Sequence, residues 1–191
     1  MKTDISGVRL EVPGGGKEVM LHSCCAPCSG AILECMTAGG IRPVIFFSNS
    51  NIFPKSEYEL RLAELKRYAD SLGLEVVEDE YDHGAWLERV RGLEREPERG
   101  ARCTECFKFR LERAAACAAA RGIPVLTTSL ASSRWKDLAQ VNAAGSEACN
   151  GTGVCFWEAN WRKSGLQPRR NEIIAEQAFY NQTFCGCEFS K

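Results

Sequence analysis

The segment EVMLHSCCAPCSG, residues 18–30, sets the terms for the rest of the chain, because an apolar run stops abruptly at three sulfurs, Cys24, Cys25 and Cys28. Val19, Met20 and Leu21 have the character of a short buried strand, Pro27 suits a first helical turn, and the residues from Ser29 onward predict a helix. Corners of this kind, at the carboxyl ends of strands, are where open α/β sheets place their chemistry. Side chains on a strand alternate in direction, so Cys24 and Cys25 would not grip one small ion together if the strand ran that far. The doublet then points to two metal centres or to two corners of one cluster. Cys25 and Cys28 form a CxxC pair, a spacing that chelates iron or zinc or closes a redox disulfide.

Strands and helices continue to alternate downstream. The first helix stops at Gly39 and Gly40, Ile41 to Phe47 predicts a second strand, and SNSNIFP, residues 48–54, predicts a polar loop. Ser56 and Glu59 have capping-box spacing for a helix over 57–72 that Gly73 closes. Residues 74–77 predict a third strand, and Asp82 is placed to cap a helix bearing Trp86, Leu87 and Val90. After a charged loop over 92–102, Cys103 and Cys106 open an Ala-rich helix to about Arg121. A fourth strand over 125–129 then exits into polar SSRWKD and a helix from Asp137. EACNGTG predicts a turn; from Phe156 the pattern is helical, broken over 165–168, and helical again over 171–180. This alternation predicts an α/β fold, a three-layer sandwich around a mostly parallel, Rossmann-like sheet. The 191 residues hold no repeat or linker, so one domain is expected over 1–191, with 1–17 as a loose leader or early edge strand.

The cysteines carry the chemistry. No apolar run is long enough for a membrane span and no apolar signal core precedes the glycines at 14–16, so the chain is expected in the cytosol. There, eleven cysteines are better read as metal thiolates than as a disulfide framework. With only His22 and His83 available, a His-rich hydrolytic zinc site is disfavoured. Three groups stand out, CCxxC at 24–28, CxxC at 103–106 and CxC at 185–187, seven thiols in all, with Gly186 permitting the last turn. Four thiolates hold a cubane and three hold a tetrahedral ion with one open position. Thioredoxin-like exchange would use one CxxC and leave five of the seven unexplained. Cys35 and Cys117 read as core residues, as does a hydrogen-bonded His22, and Cys149 and Cys155 are set aside. A net charge of −1 means that any nucleic acid would need a local basic patch. Lys136, just after the fourth strand, is the best single group for an anion, and Arg99, Arg102, Lys108, Arg110 and Arg113 are candidates for phosphate contacts.

The motifs LHSCCAPCS, SNSNIFPKSEYELR, RCTECFKFRLE, TTSLASSRWK and YNQTFCGCEFS, in that order from about Val19 to Ser190, resemble the QueH family of epoxyqueuosine reductases. The resemblance implies a cytoplasmic oxidoreductase that reduces the epoxide of epoxyqueuosine, at the wobble position of tRNA anticodons, to queuosine with electrons from a separate donor. It implies a fold similar to the adenine-nucleotide α-hydrolase type. It also implies a 4Fe–4S cluster and one additional mononuclear metal, iron or zinc, with Cys24, Cys25, Cys28, Cys103, Cys106, Cys185 and Cys187 as ligands, undivided between the two. Some family members carry Asp where this chain has Cys28. Asn49, Asn51, Arg61, Lys136, Arg162 and Gln182 match polar family positions that would bind the modified nucleotide. The acidic residue that often precedes the family's Arg-Lys step is missing before Arg162-Lys163, where Asn160 and Trp161 stand; were that acid the proton donor, Glu158 would have to replace it. The alternative is a zinc-binding or thiolation-type tRNA-modifying protein. A thiolase, however, would carry an SGGxDS-like phosphate loop after the first strand, where this chain has CCAPCSG.

Overall fold

The computed structural model describes residues 3–190. Strands β1 (Val19–His22), β2 (Val44–Phe47), β3 (Val76–Glu78), β4 (Val125–Thr128) and β5 (Cys155–Phe156) form a sheet in the order β3-β2-β1-β4-β5, every neighbouring pair parallel. The helices are α1 (Ala26–Ala38), α2 (Lys55–Ser71), α3 (His83–Arg89), α4 (Ala101–Ala120), α5 (Leu138–Cys149) and α6 (Leu166–Glu176).

Period-two alternation divides the strand residues between two cores. Val19, Leu21, Ile45, Phe47 and Val125 pack with residues of α1, α2 and α6, whereas Met20, Phe46 and Leu126 pack under Ala114, Ala115 and Ala118 of α4 and Cys149 of α5. A fully buried side chain such as Leu21 stabilises by roughly 1.5–3 kcal/mol, so strands this short are held mainly by burial on both faces. The result is a three-layer α/β sandwich. Strand order reverses between β1 and β4, which puts the ligand crevice typical of such sheets at the carboxyl ends of these two strands. Among the described residues, no helix is long and apolar enough to cross a membrane.

Several local expectations are corrected. β5 replaces the start of the expected helix at Phe156, because Cys155 and Phe156 find a free edge beside Val125 and Leu126. Pro168 does not break a helix; it sits in the first turn of α6, where its missing N–H would have no partner. The Ser56–Glu59 capping box is unused, since α2 starts two residues earlier than expected, at Lys55 after Pro54, with no side-chain cap. Asp82 and Asp137 do cap α3 and α5, accepting from the amides of Ala85 and Gln140. Residues 3–17 form neither a strand nor a loose leader: Ile5 is buried, and the amide of Thr3 donates to Glu172 Oε2 of α6 at 2.9 Å. Met1 and Lys2 of the expected leader lie outside the described residues.

Candidate metal centre

β1 ends at His22, and the chain then turns. The amide of Ser23 donates to Phe46 O at 2.8 Å, and its hydroxyl pairs with that of Ser29 at 2.6 Å. Cys25 follows in extended conformation as the residue capping α1. Strand alternation therefore no longer applies at the doublet, and the expected divergence of Cys24 and Cys25 is corrected: their sulfurs lie 3.8 Å apart. With Cys28 from the first turn of α1, all three sulfurs fall within 4.8 Å of one another. A tetrahedral ion with metal–sulfur bonds of about 2.3 Å spaces its thiolates about 3.8 Å apart. This donor set fits one soft metal ion with a fourth position open.

The loop leaving β4 supports that corner. Ser129 Oγ accepts the Cys24 amide at 3.0 Å and donates to Cys24 Sγ at 3.3 Å, while Ser132 Oγ donates to Cys28 O at 3.0 Å. Hydrogen bonds from Cys25 and Cys28, with smaller contributions from Arg110 and Ser129, outweigh burial and hold the Cys24 thiol well below its ordinary pKa. Cys28 is pushed up to about 12, first by its bond to Cys24. One thiolate among three thiols is thus prepared in advance. Beneath them His22 Nε2 donates to Ser48 O at 3.1 Å and Nδ1 pairs with Thr128 Oγ1 at 2.8 Å. Burial, then the charge of Arg110, lowers its pKa to about 3, so it is a neutral core imidazole.

The other four thiols of the three motifs come from α4 and the C-terminal segment. Cys103 and Cys106 lie on the first turns of α4, and Cys106 packs with Trp86, Val90 and Cys187. The segment carrying Cys185 and Cys187 is docked by Arg61, which donates to the carbonyls of Cys185 at 3.1 Å and Phe184 at 3.5 Å, and by the amide of Phe53, which reaches Gly186 O at 2.9 Å. Gly186 has φ of +99°, and a Cβ there would meet Ile52 at 3.1 Å and Arg61 at 3.3 Å. Only glycine fits this turn. Burial pushes Cys106 up to about 11. Burial also opposes ionisation of Cys185, but Lys136 and Arg110 overcome it and lower its pKa. Lys136 Nζ lies 3.5 Å from Cys185 Sγ and also feels Cys24 and Cys28, so one ammonium serves both thiol sets.

Comparison with known proteins bears on this arrangement. The model of the family described as "Epoxyqueuosine reductase QueH" matches residues 19–191. A Haemophilus influenzae protein named Epoxyqueuosine reductase QueH is 45% identical over 183 residues, covering 95% of this chain and 75% of its own length. Proteins of the same name from Acinetobacter baylyi and Thermotoga maritima are 42% and 34% identical, over 96% and 90% of this chain and 84% and 89% of theirs. The chain belongs to the QueH family.

In this QueH-family chain, the polar residues singled out from sequence fall into two groups. Asn49, Arg61 and Arg162 are committed internally: Asn49 donates to Ser23 O at 2.9 Å and accepts from Arg110, Arg61 holds the C-terminal segment, and Arg162 donates to Ser133 O and Lys136 O at 2.6 and 2.8 Å. Asn51 Oδ1 and Gln182 Oε1 are buried without a hydrogen-bond partner, and Lys136 reaches the thiols. Glu158 is exposed and pairs with Ser146 Oγ of α5. Of the five expected phosphate contacts, Arg102 and Arg110 are buried, Arg113 pairs with Asp79, Lys108 with Glu147, and Arg99 with carbonyls of the β4–α5 loop. Arg110, Ser129 and Ser132 are the supporting residues that sequence reasoning missed or misplaced; the SLAS run after β4 was the available signal.

Proposed function

We propose that this protein is an epoxyqueuosine reductase that acts in the cytoplasm on tRNA, converting epoxyqueuosine at the wobble position to queuosine. Membership of the QueH family and the names of its relatives support the reading. The observation that carries it is the convergence of Cys24, Cys25 and Cys28 at the strand-order reversal, with Lys136 bridging toward Cys185.

Removing an epoxide oxygen to leave an alkene consumes two electrons and two protons and releases water. Cys24, Cys25 and Cys28 would hold a single iron or zinc ion, and Cys103, Cys106, Cys185 and Cys187 a 4Fe–4S cluster. When bound, the two supply Lewis acidity at an open position and one-electron transfer, with electrons from an external donor. The remaining work falls to the chain. Ser129 and Ser132 hold the three-thiol corner rigid. Lys136 keeps its proton at Nζ because the neighbouring thiolates outweigh its burial, so it would serve as a fixed cationic hydrogen-bond donor to the developing oxyanion rather than as a proton source. Asn51 and Gln182 offer free amide oxygens to hydroxyl or amine groups of the nucleoside.

The deciding experiment is anaerobic reconstitution with iron and sulfide, followed by reduction of epoxyqueuosine-bearing tRNA and mass analysis of the released nucleoside. Loss of one oxygen atom is expected, and Cys103→Ser should abolish it with loss of iron. Full turnover in that variant would refute the assignment.

A further inference from the structure

The loop between β4 and α5 carries a feature that the thiols do not account for. Trp135 is 71% exposed, whereas Trp86, Trp157 and Trp161 are buried, at 0%, 9% and 3%. Its setting is built. The amide of Lys136 donates to Ser133 O at 3.2 Å, closing a turn with Arg134 and Trp135 at its corner. Arg162 Nη2 takes the carbonyls of Ser133 and Lys136, while Arg99 takes those of Arg134 at 3.3 Å and Trp135 at 3.0 Å. Two arginines thus clamp four successive carbonyls. The clamp is tied to the thiols on both sides, because the amide of Arg99 donates to Cys103 Sγ at 3.3 Å and Lys136 Nζ faces Cys185. The guanidinium of Arg134 lies over the indole, 5.9 Å from its centroid. Arg134 and Arg99 make the immediate surroundings cationic, and the nearby carboxylate of Asp137 is engaged as the cap of α5.

We infer that Trp135 is a stacking platform for an unpaired RNA base, held next to the nucleotide that enters the thiol pocket, with Arg134 contacting the adjoining phosphate. Resting on the reading of the chain as a tRNA-modifying enzyme, the assignment follows from chemistry. A base-modifying enzyme takes its target out of the stack and compensates neighbouring bases with aromatic faces, and a cation beside the ring suits a polyanion.

The test uses the metal-loaded protein and an RNA anticodon stem-loop with unmodified guanosine at the wobble position. In the wild type, RNA should quench the solvent-exposed, red-edge component of tryptophan emission, which Trp135→Phe removes. Trp135→Ala should weaken binding about ten- to a hundredfold with an unchanged salt dependence. Arg134→Ala should lower the slope of log affinity against log salt by about one contact. Because Trp135 is exposed, thermal melting should not change. RNA affinity unaltered in Trp135→Ala overturns the inference, and so does a change confined to the KM for the electron donor, which would mark a protein-docking contact. Failure of the wild type to bind any RNA at low salt would instead strike at the function proposed above.

Discussion

The ammonium nitrogen of Lys136 stands 3.5 Å from the sulfur of Cys185, joining the β4–α5 loop to the C-terminal segment across the crevice. As a fixed cationic donor toward the leaving oxygen, Lys136 would act electrostatically, so Lys136→Met should lower turnover about 10²–10³-fold while metal content stays at the wild-type level. Lys136→Arg keeps the charge and a hydrogen-bond donor, so it should restore part of the rate. Single-turnover kinetics together with iron analysis read both variants; a Met variant with normal turnover removes Lys136 from stabilising the leaving oxygen.

The two thiol sets should come apart under substitution. Cys25→Ser is expected to lose the single ion and keep the visible absorbance of the cluster, and Cys187→Ser to do the reverse. Metal and sulfide analysis beside the absorption spectrum reads both. Loss of cluster absorbance in Cys25→Ser would show that the corner thiols belong to the cluster.

Gly186→Ala places a side chain at φ +99° against Ile52 and the guanidinium of Arg61. The strain is about 1–3 kcal/mol and falls on the segment that Arg61 and Phe53 hold. Faster hydrogen exchange over 184–188 is the expected signature, with exchange in β1 and β4 unchanged.

Glu172 anchors Thr3 to α6, and its carboxyl is held down to about 2, against an ordinary 4.5, chiefly by the Thr3 hydroxyl and amide and less by Arg169. Between those values the unfolded chain binds the extra proton, so the contact stabilises fully above 4.5 and its contribution is lost as pH falls through about 2. Glu172→Gln removes that dependence. The difference in melting temperature between wild type and variant should therefore shrink on acidification from about pH 5 to about pH 2.5.

Much of the architecture was legible because each β–α unit announces itself: buried runs such as Val19–Leu21 and Val125–Thr128 have period and composition of their own, and Asp82 and Asp137 cap the helices they precede. β5 was not, since two residues carry no period and become a strand only by meeting the free edge of β4. At the site, the cysteine motifs were visible, but the distance between neighbouring sulfurs was not, because it depends on where β1 stops. The arginines misled for a related reason. Arg110 looks like surface in sequence, yet Ser48 O and Asn49, brought from another loop, make burial affordable.

Arg61 and Phe53, which receive the C-terminal cysteines, lie in the first third of the chain, and Cys24, Cys25 and Cys28 come earlier still. As the polypeptide leaves a ribosome, the corner thiols emerge almost together. The CxC pair arrives last, onto a berth that β1, β2 and α2 already contain. The order of the chain itself therefore separates in time the appearance of the two cysteine groups, and a nascent protein halted after α5 would display the first with no counterpart for Cys103 and Cys106.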